Sequence, residues 1–173
     1  MDIQVTPQGL LAWRDRTHRC ALGHAGIAVN KREGDGTTPS GCFVLRRVLY
    51  RPDRLAKPTT ALRVSAICST DGWCDDPQDP NYNQPVKLPY AASHERLWRD
   101  DALYDLIVVL GFNDEPPSPG AGSAVFLHVA DPGFAPTKGC VALARDVLSE
   151  LLTDCAPGDR LCVMPPLEPG NDG

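Results

Sequence analysis

The chain lacks the positive charge that a polyanion would attract. Its 17 Lys and Arg stand against 22 Asp and Glu, for a formal charge of −5, and no basic block is present to neutralise phosphates. That argues against nucleic acid as a partner. No apolar stretch approaches the ~18 residues of a membrane span. Seven cysteines and four histidines contain no Cys-x-x-Cys and no paired Cys/His spacing, so neither a metal site nor another cofactor is expected. The Gly34-Asp35-Gly36 turn lacks the rest of a P-loop or dinucleotide fingerprint. Met1 to Thr6 shows neither the basic nor the apolar segment of a secretory leader. The expected compartment is therefore the cytoplasm, or the periplasm if a leader is missing from this chain.

What is present suits one globular domain. At 173 residues, 42% hydrophobic and 23% charged, the chain is long enough for a single well-formed core. Short strands are expected at Ile3–Val5, Leu10–Trp13, Arg19–Leu22, Gly26–Asn30, Gly41–Tyr50 and Leu62–Ser69, separated by Gly, Pro and Asp turns. Arg46 and Arg47 share one strand, where at most one faces the core. Asp71 to Pro89 is polar, with four prolines, and reads as a long irregular excursion. Ser93 to Trp98 reads as a short helical turn capped by Ser93. Leu106 to Phe112 is a continuous apolar run and so a buried central strand, and Ala124–Val129 a further one. Val147, Leu148, Leu151 and Leu152 fall at helical spacing, giving a helix over roughly Ala144–Thr153, followed by a last strand at Arg160–Met164. The fold class is mainly β (α+β), with one main helix, a single domain over 1–165 and a flexible tail at 166–173. Cys20, Cys42 and Cys162 lie in apolar runs as small core residues. Cys68 and Cys74 flank a short turn and are spaced to bond in an oxidising compartment.

One constellation carries chemistry. Phe126-Leu127-His128-Val129 delivers a histidine on a strand, and Thr137-Lys138-Gly139-Cys140-Val141 delivers a cysteine twelve positions later. A loop of that length folds back to set imidazole beside thiol. In such a pair the imidazole takes the thiol proton and the thiolate attacks a carbonyl. Gly139 permits a tight backbone whose N–H groups, those of Gly139 and Cys140 with help from Lys138, face a developing oxyanion.

These segments, with Asn30-Lys31-Arg32-Glu33-Gly34-Asp35-Gly36-Thr37-Thr38-Pro39-Ser40-Gly41 before Cys42-Phe43-Val44-Leu45 and Pro157-Gly158-Asp159 near the end, resemble the YkuD-type L,D-transpeptidases of bacterial peptidoglycan metabolism. The resemblance runs from about Ala28 to Val163 with its segments in the family order. It implies a YkuD-like β-sandwich with the main helix after the catalytic cysteine, Cys140 as nucleophile and His128 as base. A backbone carbonyl beside His128 would orient its ring, with Asp131 as a side-chain alternative. Three positions depart from the family pattern: Val129 replaces a glycine, Lys138 a second histidine and Ala142 an arginine.

The substrate implied is a peptidoglycan stem peptide or muropeptide, cleaved through a thioester, with carbapenems as covalent inhibitors. Candidate substrate-binding residues are Lys138, Thr137, His94, Arg96, Arg99 and Asn113, with His94 a replacement for the missing histidine. The leading expectation is a transpeptidase. An L,D-carboxypeptidase that trims terminal D-Ala is the alternative, and an inactive stem-peptide-binding module the second.

Overall fold

The computed structural model describes residues 1–166, and these hold fourteen strands and one helix. The first seven strands are β1 (Asp2–Val5), β2 (Leu10–Trp13), β3 (Arg16–Arg19), β4 (Ile27–Ala28), β5 (Thr38–Pro39), β6 (Gly41–Tyr50) and β7 (Val64–Ala66). Next come β8 (Asp71–Cys74), β9 (Pro85–Lys87), β10 (His94–Arg96), β11 (Leu106–Leu110), β12 (Phe126–Val129) and β13 (Val141–Leu143). Helix α1 (Arg145–Asp154) and β14 (Arg160–Val163) follow.

Nine strands make one mixed sheet in the order β13-β12-β11-β6-β14-β1-β2-β3, with β7 also on β6. Its long strand, β6, pairs β14 along Gly41–Val44 and β11 along Leu45–Tyr50. The β6–β11 register shifts so that Arg47 faces Val109 and Leu45 faces Leu110. Arg46 is the extra residue of this bulge, and it reaches Asp114 and Glu115 at the surface. The bulge is how two consecutive arginines fit one strand.

β11 is buried along its whole length because apolar matter lies on both sides. Leu106, Val108 and Leu110 enter a larger core with β1, β2, β14 and the helix, whereas Ile107 and Val109 enter a smaller one. Helix α1 presents Leu148, Leu151 and Leu152 to the larger core, each contributing roughly 1.5–3 kcal/mol by burial. Its far end is held to the β2–β3 hairpin by Trp13 Nε1, which donates to Asp154 at 3.1 Å, and by Arg14–Asp154 at 2.8 Å.

Several expectations need correction. The strand placed at Arg19–Leu22 is β3, three residues earlier, an edge strand of charged and exposed residues. The excursion at Asp71–Pro89 contains β8 and β9, which with β10 form a three-stranded sheet over the smaller core. Ser93–Trp98 is therefore strand and connecting chain, with His94, Glu95 and Arg96 paired to Cys74, Trp73 and Gly72; pairing overrides the local helical signal. Cys42 and Cys162 are cross-strand partners joined by a disulfide, and Cys42 is exposed, so they are not separate core thiols. Cys68 and Cys74 are both free. The expected tail at 166–173 lies, apart from Pro166, outside the described residues.

Candidate active site

Alternation along β12 decides which way His128 points. Leu127 and Val129 belong to the larger core, while Phe126 belongs to the smaller, so His128 shares the face of Phe126. β13 runs parallel to β12 with Ala142 opposite His128. Cys140, two residues before Ala142, thus enters β13 beside the histidine strand. Both side chains line one cavity of about 640 Å³.

His128 is buried, and its Nδ1 lies 2.8 Å from the Val129 carbonyl. A carbonyl only accepts, so Nδ1 carries the proton and Nε2 the lone pair. The backbone therefore orients the ring. Asp131, the side-chain alternative, instead accepts from the Ala135 N–H at 2.8 Å. The Tyr104 ring meets the imidazole edge-on at 5.3 Å. Burial, with Arg99 adding to it, lowers the His128 pKa to about 4, which keeps the imidazole neutral at pH 7.

The Cys140 thiol donates to the Ala124 carbonyl at 3.3 Å and receives the Phe126 N–H at 3.3 Å. Burial, reinforced by Glu95, pushes its pKa up to about 12, against the pull of the Phe126 N–H and Lys31. No hydrogen bond joins it to His128 among the described residues. The resting pair is thus neutral thiol and neutral imidazole, with the sulfur turned toward Ala124.

The loop before Cys140 is fixed from within. Thr137 Oγ1 donates to the Cys140 carbonyl at 2.7 Å and accepts the Gly139 N–H at 3.0 Å. This corrects the expected oxyanion donors, because the Gly139 N–H is already engaged. The N–H groups of Lys138 and Cys140 donate to no described residue. Gly139 has φ +139, and a Cβ there would stand 2.7 Å from the Thr37 carbonyl. The glycine is required by the loop at 31–37 pressing on it.

Of the candidate binding residues, Lys138, Thr137, His94, Arg96 and Arg99 line this cavity. The Thr137 hydroxyl is occupied within the loop. His94 Nδ1 is 2.8 Å from the Ala92 carbonyl, and Arg99 pairs with Asp101 at 2.6 Å while lying over the Tyr104 ring. Asn113 lies elsewhere: its side chain closes the turn before β12 through Ser118 and Gly122, and it does not line the cavity.

Sequence reading missed Lys31, Asp75, Glu95 and Tyr104, which also line it. Tyr104 donates to Glu95, whose pKa is raised by desolvation. Asp75 Oδ1 is buried with no hydrogen-bond partner among the described residues. None stands in a motif beyond its own residue type, except Lys31, which is quoted within the glycine-rich segment at 30–41.

The profile of the YkuD L,D-transpeptidase catalytic domain matches residues 3–163. The chain belongs to this family. No curated protein matches it. Among solved structures, the helical cell shape determining protein Pgp2 from Campylobacter jejuni aligns at 12% identity and TM-score 0.47, over 94% of this chain and 46% of that one. An L,D-transpeptidase from Mycobacterium smegmatis aligns at 15% identity and TM-score 0.39, over 95% of this chain and 58% of that one. The chain thus spans about half the length of these proteins. The mainly β fold with one helix after the cysteine is the YkuD one, and no helix among the described residues is long and apolar enough to cross a membrane.

Proposed function

We propose that this YkuD domain is a cysteine acyltransferase acting on peptidoglycan stem peptides as an L,D-transpeptidase. The observation that carries the reading is His128 and Cys140 in one cavity, with Nδ1 tied to Val129 so that Nε2 is the basic nitrogen. On substrate entry the thiol leaves Ala124 and gives its proton to His128 Nε2. The thiolate attacks the amide between the L-centre of diaminopimelate and the terminal D-residue. Negative charge on the carbonyl oxygen is received by the N–H groups of Cys140 and Lys138. The imidazolium then protonates the departing amine, the C–N bond breaks, and a thioester remains on Cys140. An amine acceptor resolves it into a cross-link; water resolves it into a trimmed peptide, the L,D-carboxypeptidase outcome.

Arg96, Arg99 and Lys138 supply positive charge for the substrate carboxylates. The same thiol is the expected point of acylation by carbapenems, read as a mass gain that Cys140→Ala abolishes. The Cys42–Cys162 disulfide supports the periplasm over the cytoplasm, because such bonds persist in oxidising surroundings. The deciding experiment incubates a purified disaccharide tetrapeptide with wild type and with Cys140→Ala, read by mass spectrometry. Cys140-dependent dimers support the transpeptidase, and loss of D-Ala without dimers moves the assignment to the carboxypeptidase. Binding without turnover in both proteins would leave an inactive stem-peptide-binding module.

A further inference from the structure

Lysine side chains seldom lie inside a protein, yet that of Lys31 is only 5% exposed. Its ammonium donates to Asp35 Oδ1 at 2.9 Å and to the Thr37 carbonyl at 2.8 Å. An ammonium has three N–H donors, so one remains, and Lys31 lines the cavity that holds Cys140. Nζ stands 3.1 Å from where a Cβ on Gly139 would be, which puts the charge against the residue preceding the nucleophile. The stem packs at Gly122, its Cε 3.0 Å from a Cβ built there, just before the Ala124 carbonyl that holds the thiol.

Asp35 is the counter-ion of this ammonium, and its carboxylate also receives the Arg32 N–H at 2.7 Å and the Thr37 N–H and hydroxyl at 2.9 and 2.8 Å. Those donors fix the loop and hold the carboxylate in place as an anchor for the ammonium. The other charged or titratable groups lining the cavity with Cys140 are Glu33, Asp75, His94, Glu95, Arg96, Arg99, Tyr104, His128, Asp131 and Lys138. Lys138, the cation next to the nucleophile in sequence, is exposed and screened by water.

We propose that Lys31 is the positioning cation of the nucleophile: brought to Gly139 by the loop at 31–37, its ammonium stabilises the Cys140 thiolate. When Sγ gives its proton to His128 Nε2, the sulfur becomes negative and the imidazole positive, while Lys31 keeps its own proton. Lys31 thereby acts on the nucleophile from a segment distant from it in sequence. The pull of Lys31 on the thiol pKa agrees in direction. The proposal rests on Cys140 as the nucleophile, but not on the identity of the acyl donor.

The test is therefore run without substrate, on the full chain. Iodoacetamide alkylation of Cys140 is followed by peptide mass spectrometry from pH 7 to 10, with exposed Cys68 as internal reference. Lys31→Met is expected to slow Cys140 alkylation at least about tenfold at each pH, one pKa unit being tenfold in thiolate. Lys31→Arg retains the charge and should stay within about twofold of wild type, as should the surface control Lys57→Met. Glu95→Gln should move the rate the other way. A merely structural role predicts the opposite sign for Lys31→Met, since a loosened loop exposes the thiol and speeds alkylation. A Lys31→Met profile on or above that of wild type, in protein that melts cooperatively, overturns the proposal. If Lys31→Met does not fold, Lys31→Gln takes its place under the same criterion; if neither folds, an unchanged rate in Glu95→Gln overturns it. Failure of the muropeptide assay with the Lys31 effect intact would indicate a different acyl donor.

Discussion

Replacing Asn83 by alanine should remove a single joint that holds both the small sheet and the acceptor of the Cys140 thiol. The residue is 4% exposed and follows β8 with φ +56. Its Oδ1 accepts from Trp73 Nε1 at 2.9 Å and from the Ala124 N–H at 3.0 Å. Its Nδ2 donates to the carbonyls of Phe112 at 3.0 Å and Asn113 at 2.7 Å. Four hydrogen bonds at a net of about 1 kcal/mol each give about 4 kcal/mol. Holding alanine in the left-handed region adds roughly 1 kcal/mol more. A loss of about 5 kcal/mol is a large part of ordinary domain stability, and at roughly 2–4 °C per kcal/mol it lowers Tm by about 10–20 °C. Urea unfolding and calorimetry of Asn83→Ala measure it directly. Asn83→Asp keeps the two acceptor bonds but sets an oxygen against two carbonyls, and should lose at least half as much. A loss below about 1 kcal/mol for Asn83→Ala would refute the four-bond account.

Other outcomes follow from the same geometry. Gly139→Ala meets the Thr37 carbonyl and should cost about 3 kcal/mol or more, whereas Gly26→Ala, at φ +85 with open space around it, should cost only about 1 kcal/mol; equal melting temperatures would remove the steric explanation. The pKa of His128 falls from 6.5 to about 4 on folding, so the unfolded chain binds the extra proton between those values. Its stabilising contribution is complete above pH 6.5 and is lost as pH falls through 4, by about 3 kcal/mol in all. Urea midpoints at pH 7 and 4.5 should show the decline, and His128→Gln should flatten it. The Cys42–Cys162 bond closes a separation of 120 residues, and the double serine variant should lose about 3–4 kcal/mol; urea curves unaltered by reductant would show that the bond adds nothing.

Legibility in the sequence followed the length and regularity of each pattern. The apolar runs at Gly41–Tyr50 and Leu106–Leu110 and the leucine stripe of α1 are long enough for periodicity to outweigh noise. The small sheet is not: β8, β9 and β10 have three or four residues each, and β9 begins with Pro85, a residue tolerated at a strand start but read as a breaker. β3 failed for another reason, since an edge strand bearing Arg16, His18 and Arg19 looks like a solvated loop. In the site, His128 and Cys140 were visible because their spacing and glycine carry chemistry. Lys31, Glu95 and Tyr104 reach the cavity only through long-range folding, and no local pattern announces that a lysine is buried or that a tyrosine lies against an imidazole. The Cys42–Cys162 pairing is of the same kind, set by the register of β6 on β14.

The position of β14 has a consequence for synthesis. This strand lies between β6 and β1, with β1 in parallel register to it, so the last strand described is central in the sheet. While a ribosome is still making the chain, every residue of the cavity has emerged before the strand that joins the two halves of its scaffold. Until then β6 and β1 each present an unpaired edge, the state most open to association with other chains. The nascent protein therefore carries the residues of the cavity on an unfinished sheet, and completes both together only after residue 163 leaves the exit tunnel.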